Sequence, residues 1–418
     1  MGNMRVVTIG VVFTFSAGRL LADEWPQYRH DAHRTAFSMD SVHPPLRRVW
    51  KMELSNLTNP KDYNVRMVAA KGRLFVALPP SVQFYDPYTV LCLDAKSHAV
   101  LWKTKHQLWS DSLLFSGGKL FLIERTADSQ PHLLALDASS GRKRWEINGS
   151  DAGNIPAVQR GRIFISLARY RRQQTPEQLG VVGVKIDTGQ LSFGPKLPRV
   201  RTSSDFGMCV TETSVIASDS QNLYSITLDG KSTTSWHTPH GIHQPITLRN
   251  TLFLVTGRYL QCLQASPLRA LWKRGFKEHG SVDLPNPVLT PQGLLQVVGF
   301  RRESGQASLS IHLISPLSGR SLWRREMGNL GMISENTTLT QLLVAGDVVW
   351  MAAKRLLPAS DHYSVRLIAV SRKTGKVLWK GPVLPGDVWQ VIVADRKLFV
   401  FLEGATLVCY EGAKASNQ

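Results

Sequence analysis

The residues of this chain best suited to chemistry are its histidines, cysteines and loop carboxylates. His237, His240 and His243 stand at HxxHxxH spacing, and His279 falls in the matching loop about one repeat later. Imidazoles suit zinc, copper or iron. On a helix this spacing would gather the three rings on one face. Here it crosses Pro239 and Gly241 between two strands, so a polar surface loop is expected and no metal site is assigned. His240, His243 and His279 are kept as candidate ligand or partner loops. Cys92, Cys209, Cys262 and Cys409 share no CxxC spacing, which argues against zinc, and they are expected to be buried free thiols. Asp111, Asp151, Asp205, Asp283 and Asp387 fall in loops at about one per repeat, which any ring of repeats shows. No catalytic residue is assigned.

The charge balance is unusual. Lys and Arg number 50 against 31 Asp and Glu, for a net charge of +19. Such a field draws the chain toward anions without specifying a fold. The basic clusters are Arg142-Lys143-Arg144, Arg169 with Arg171-Arg172, Arg301-Arg302 and Arg324-Arg325. Those beside the repeat aromatics read as a solvated rim that protects strand edges; a polyanion-binding belt is the alternative. No exposed aromatics interleave with them, so nucleic acid is not expected. At the N-terminus, Arg5 precedes an apolar run over residues 6–15, and small residues follow at Ser16, Ala17, Gly18 and Ala22. This pattern predicts a signal peptide over residues 1–22 and a periplasmic or secreted protein. No later run approaches the ~18 apolar residues of a membrane span, so no transmembrane span is expected, and no cysteine near residue 22 supports a lipid anchor.

Positioning these residues falls to a repeat. The clearest copies are VLCLDAKSHAVLW ending at Trp102, LLALDASSGRKRW at Trp145 and LIAVSRKTGKVLW at Trp379. Related copies end at Trp236, Trp272 and Trp323, one ends at Phe193, and a truncated LVCYEG closes the chain at residue 412. The spacing averages about 46 residues, the length of one four-stranded propeller blade. In each copy an apolar run reads as a buried strand. A turn follows with Gly at a fixed offset (Gly141, Gly189, Gly319, Gly375), where positive φ is tolerated. A second strand then ends on the aromatic. Two more strands lie upstream, the second being GRLFVAL (72–78), GKLFLIE (118–124), GRIFISL (161–167), NTLFLVT (250–256) or RKLFVFL (396–402). The last copy lacks its final strand, and residues 46–54 supply one carrying Trp50. Pairing the two predicts an all-β, eight-bladed β-propeller over residues 41–412 whose last blade is closed by an N-terminal strand. Residues 413–418 are a tail.

The recurring motif is a small residue, x, Asp or polar, x, x, Ser/Thr, Gly, x, x, x, Trp. It is carried by Ala135, Asp137, Ser140, Gly141 and Trp145, and again by Ala369, Ser371, Thr374, Gly375 and Trp379. Cys92, Asp94, Ser97 and Trp102 match it with His98 in the Gly position. This resembles the tryptophan-docking motif of the pyrroloquinoline-quinone-type propellers, and the chain is similar to their outer-membrane-protein assembly factor B scaffolds. The resemblance implies that Trp50, Trp102, Trp145, Phe193, Trp236, Trp272, Trp323 and Trp379 dock against the neighbouring blade, and Trp102, Trp145, Trp272, Trp323 and Trp379 are expected to be largely buried between blades. Residues 23–40 look like the leader that precedes the first blade in this family, and are expected to form a strap across the propeller surface. The family also holds quinone-dependent dehydrogenases, which resemble one another in a vicinal cysteine pair, a carboxylate-held calcium and a catalytic Asp. This sequence has no adjacent cysteines and no haem CxxCH. The expected function is therefore a non-catalytic, exported, monomeric scaffold that binds a protein or extracytoplasmic polymer on its loop face, with no cofactor. A quinone-binding oxidoreductase and a polyanion binder are the alternatives.

Overall fold

Each repeat folds into one antiparallel sheet, and eight such sheets form a ring. The computed structural model describes residues 24–31, 34–57, 65–80, 87–108, 113–125, 131–148, 154–168, 179–193, 206–218, 221–243, 245–276, 282–283, 286–301, 307–327, 338–356 and 363–412. No helix occurs among them, and none therefore is long and apolar enough to cross a membrane. The chain is an all-β, eight-bladed β-propeller.

Blade 1 shows the pattern: Arg66–Ala70, Arg73–Leu78, Tyr88–Asp94 and Val100–His106, hydrogen-bonded in chain order from first strand to outermost. Blades 2 to 7 follow over residues 114–148, 157–193, 206–237, 246–275, 288–326 and 338–385. The second and third strands are covered on both faces by neighbouring blades. Hence they read as unbroken apolar runs such as RLFVAL, buried from Leu74 onward. The outermost strand has a solvated side and alternates, as in Val100–His106. The apolar core is accordingly split into wedges between blades. Leu120, Leu122 and Phe115 of blade 2 pack with Phe75 and Cys92 of blade 1, and Phe121 and Ile123 pack with Ile163 and Val184 of blade 3.

Blade 8 is composite. Val388–Ala394, Lys397–Leu402 and Thr406–Gly412 are completed by Leu46–Glu53, which runs antiparallel to Thr406–Gly412 with Trp50 opposite Cys409. Leu54 N–H extends the pairing to Ala405 O at 2.9 Å. The two ends of the propeller thus share one sheet, as the unpaired terminal copies predict. Two blades carry an extra inner strand laid parallel: Asn154–Ile155 beside blade 4 and Phe37–Ser38 beside blade 7.

Without Leu46–Glu53, Thr406–Gly412 is an open sheet edge, which recruits other chains. A truncation starting at residue 56 is expected to aggregate, whereas one starting at residue 41 keeps the closing strand and its seam. Light scattering during refolding of the two separates them; a monomeric protein starting at 56 would contradict this seam.

Candidate functional site

The outermost-strand tryptophans meet the next blade at its last turn, between third and fourth strands. A Cβ added at Gly141 would lie 2.9 Å from Trp102, at Gly189 2.9 Å from Trp145, at Gly319 2.7 Å from Trp272 and at Gly375 2.8 Å from Trp323. Only a residue without Cβ admits the indole this closely, and all four have φ between 69° and 72°. Three indole N–H groups donate across the same contact: Trp102 to Ala138 O (3.0 Å), Trp145 to Ile186 O (3.1 Å) and Trp272 to Pro316 O (2.9 Å). Within their own blades three of these rings meet a second-strand phenylalanine: Phe75 and Trp102 at 6.0 Å, Phe121 and Trp145 at 5.6 Å, Phe253 and Trp272 at 6.1 Å. The small motif residue lies opposite the indole on the third strand, Cys92 to Trp102 and Ala135 to Trp145.

The seam departs from this rule. Trp50 meets His98, which holds the glycine position at φ 55°, with ring centroids 5.4 Å apart. Trp379 instead crosses Trp350 edge-on at 5.9 Å. Trp236 packs in the wedge between blades 4 and 5. Phe193 ends the outermost strand of blade 3, and its side chain lies outside the described residues. Trp50 is buried, and the docking tryptophans Trp102, Trp145, Trp236, Trp272, Trp323 and Trp379 keep a minority of their surface exposed. The glycine turn of the next blade covers one face of Trp102, Trp145, Trp272 and Trp323.

The leader is not a surface strap. Trp25, Gln27, Arg34, Thr35, Ala36, Phe37 and Ser38 are all buried. Its contacts reach the first strands or inner turns of seven blades. Trp25 pairs with Ala69 of blade 1, and Pro26 O accepts from Phe115 N of blade 2. Gln27 Oε1 accepts from Val158 N of blade 3, and Thr35 O from Leu289 N of blade 6. Ala36 O accepts from Val344 N of blade 7, and Asp40 from Arg396 N of blade 8. Arg34 reaches blade 4. Only the propeller axis lies within reach of so many first strands, so the leader plugs the central channel.

Arg34 is the centre of the plug, with no exposed surface. Its guanidinium donates to Met208 O (2.9 Å), Pro156 O (2.7 Å) and Tyr28 O (2.8 Å). Burial pulls its pKa down to about 10, so it remains charged at neutral pH. Asp31 binds Thr35 through N–H at 3.0 Å and Oγ1 at 2.6 Å, which folds the plug back on itself. Arg29, His30, Arg34 and Ala36 all hold positive φ. Non-glycine residues take that region only where surroundings enforce it.

The other candidate groups do not assemble. His237 bonds Asn222 Oδ1 at 3.0 Å, while His240 and His243 stay exposed beside blade 5. His279 lies outside the described residues, as do Asp111, Asp151 and Asp205. Among the described residues no three His, Cys, Asp or Glu side chains converge as metal ligands. The four cysteines are buried free thiols in blades 1, 4, 5 and 8, their pKa values pushed up to about 12 by burial. One cluster escaped sequence reasoning. Glu124 of blade 2 bridges His106 Nδ1 of blade 1 (2.6 Å) and His132 Nε2 (3.1 Å), and His106 Nε2 meets Thr104 Oγ1 at 2.7 Å. The imidazoles outweigh burial and hold the Glu124 carboxyl below its usual range. Its members come from three strands of two repeats, a juxtaposition no linear motif marks.

Eight blades, four of whose junctions set an indole on a glycine turn, define a propeller of the pyrroloquinoline-quinone repeat type. The sequence profile of the family described as outer membrane protein assembly factor BamB matches residues 45–274 and 232–391, and the chain belongs to that family. No curated protein matches it at the sequence level. Among solved structures it is similar to BamB from Moraxella catarrhalis, with 12% identity, TM-score 0.55 and coverage of 88% of this chain and 100% of that one. The quinohemoprotein alcohol dehydrogenase ADHIIG from Pseudomonas putida HK5 aligns at 11% identity and TM-score 0.61, over 95% of this chain and 81% of that one. A quinohemoprotein alcohol dehydrogenase from Comamonas testosteroni gives 12%, 0.59, 95% and 82%. At these identities the likeness is one of fold.

Two substitutions test the geometry. Gly319→Ala sets a methyl group against Trp272 at positive φ and is expected to cost about 2 kcal/mol. Arg34→Met keeps the bulk and strands three carbonyl oxygens, for about 3 kcal/mol. Each should lower the melting temperature by roughly 5 °C in calorimetry; an unchanged Arg34→Met would mean that the plug is not structural.

Proposed function

We propose that this chain is an exported, monomeric, non-catalytic scaffold that holds a protein or extracytoplasmic polymer on its loop face. The observation that supports this reading is the leader: its buried residues hydrogen-bond to the first strands and inner turns of seven blades and so occupy the axis beside those turns. The donors of a quinone site do not fit either. The four cysteines lie in four blades, and no cluster of carboxylates suited to calcium occurs among the described residues. No cofactor is assigned and no reaction step is derived. Membership of the BamB family supports a protein partner, and the N-terminal pattern supports export with residues 1–22 removed.

The loop face carries the connections between second and third strands and from blade to blade. On it His240 lies against Gly257, its ring 6.3 Å from Tyr259, and Lys273 Nζ sits 3.8 Å over the Tyr259 ring. An amphipathic aromatic flanked by a cation is the usual make-up of a contact hot spot. A pull-down from an extracytoplasmic fraction is expected to recover one partner, and Tyr259→Ala with His240→Ala to reduce its yield at least about tenfold, as loss of two anchors does. A new absorbance band after adding quinone and calcium, with dye reduction by an alcohol, would replace this reading with an oxidoreductase.

A further inference from the structure

Blade 5 differs from the other seven in charge. Residues 246–275 carry Arg249, Arg258, Arg269, Lys273 and Arg274 and neither Asp nor Glu, whereas every other blade holds at least one acid. Between residues 219 and 283, which take in both flanking junctions, seven Lys and Arg outnumber four Asp and Glu. Of those four, Asp229 is held by Lys231 at 3.8 Å; Asp219, Glu278 and the side chain of Asp283 lie outside the described residues. Arg258, Arg269 and Lys273 are exposed, and none forms an ion pair with a described residue. Arg269 and Lys273 stand on Leu268–Gly275, the outermost strand of the blade, and no strand pairs with its outer edge among the described residues. It spans eight residues without proline or acid. The other outermost strands of that length are blunted. Leu46–Glu53 ends on Glu53, held by Lys51, and Val377–Pro385 contains Pro382, which has no N–H to offer. Leu268 N–H donates to Thr234 Oγ1 of blade 4 at 3.4 Å, so the open edge runs from Arg269 to Gly275. Pairing with the third strand skips Leu271, between Ala270 and Trp272. Such a bulge re-aims a side chain, and Leu271 is 46% exposed. At the far end Tyr259 lies over Gly275, where a Cβ would come 3.2 Å from its ring, and Lys273 Nζ caps the ring at 3.8 Å.

We infer that the outer edge of blade 5 takes an extended, acidic segment of a partner protein, laid along Arg269–Gly275 and reaching the Tyr259 ring. This rests on the scaffold reading above and names the chemistry of its partner. Three observations converge. An open strand edge offers alternating N–H and C=O groups, and a polypeptide backbone answers both; a polysaccharide has no such ladder. Leu271 and the Tyr259 ring give aliphatic and aromatic side chains of the segment something to meet, again a property of protein. The charge then selects among proteins. An edge carrying cations and no acid repels a second copy of itself, which protects the sheet, and admits a strand of opposite sign. Elsewhere on the rim the cations are balanced locally, as Lys143 is by Glu146 at 3.0 Å and Arg324 by Glu326 at 3.4 Å. On blade 5 the balancing acids are absent from the blade itself and are supplied by the partner.

The experiment is fluorescence anisotropy of the purified full chain with labelled synthetic peptides, one of repeating Glu-Val and one of repeating Lys-Val. One variant carries Arg258→Gln, Arg269→Gln and Lys273→Gln together. A control with the same charge change carries Lys103→Gln, Lys105→Gln and Arg142→Gln on blades 1 and 2. All these side chains are exposed, so both variants should melt like the parent. The Glu-Val peptide is expected to bind, to weaken as salt rises, and to lose about tenfold in affinity in the blade 5 variant. The control should bind like the parent. Reversal with Arg258→Glu, Arg269→Glu and Lys273→Glu should transfer binding to the Lys-Val peptide. Unlabelled polygalacturonate, matched in carboxylates, should compete at least about tenfold less well than unlabelled Glu-Val peptide, having no strand ladder. The inference is overturned if the blade 5 variant binds unchanged, if the control loses as much, if the parent binds Lys-Val equally, or if polygalacturonate competes as well as the peptide. The pull-down separates this from the scaffold reading: a partner lost with Tyr259→Ala and His240→Ala but kept by the blade 5 variant leaves that reading standing and overturns this one.

Discussion

The ring depends on one contact repeated around it: an indole laid over a turn that has no Cβ. Each blade has an apolar face on either side and cannot be stable alone. Wedge cores between blades supply the burial, but apolar wedges are non-directional. The Trp–Gly contact adds direction. A ring seated over Gly141 or Gly319 cannot slide without meeting a neighbouring side chain, and the indole N–H fixes its angle on a backbone carbonyl. Partly exposed tryptophans are adequate for this task, because what matters is the closeness of one face. At the seam His98 takes the place of glycine and offers a flat ring instead of an empty site. That substitution falls where the blade is assembled from both ends of the propeller.

The same packing generates the need for a plug. Eight blades leave an axis lined by first strands, whose backbone groups face inward. The leader satisfies several of them, and Arg34 gathers carbonyls from blades 3 and 4 and from the leader itself. A guanidinium, with five donors in a rigid fork, suits three diverging oxygens. Glycine-free positive φ values in the leader are the conformational consequence of threading a chain through so narrow a place.

What could be read from the sequence follows the range of each interaction. Blade count, turn glycines and closing strand rest on local periodicity: Gly141 and Trp145 are four residues apart, and the pattern recurs. The plug rests on contacts between residue 34 and residues 156 and 208, with no period to betray it. Its polar composition argued for the surface, since charged residues are seldom fully buried unless paired. Its partners are backbone carbonyls, which any sequence carries and none reveals. The bridge of Glu124 to His106 and His132 was hidden for the same reason. The histidines at 237, 240 and 243 were conspicuous by spacing alone, and a strand end followed by a loop spreads what a helix would gather.

The composite blade also sets an order of events. Leu46–Glu53 leaves the ribosome long before its partner, Thr406–Gly412. The closing contact therefore spans most of the chain, and contacts of such separation form slowly. Until then the growing chain is an open arc with exposed wedge faces, a state prone to misassembly. The leader must already lie along the axis when the arc shuts, because the channel it fills does not exist before closure. Ring and plug are one cooperative event, and the leader finds its place only when strands made long after it arrive.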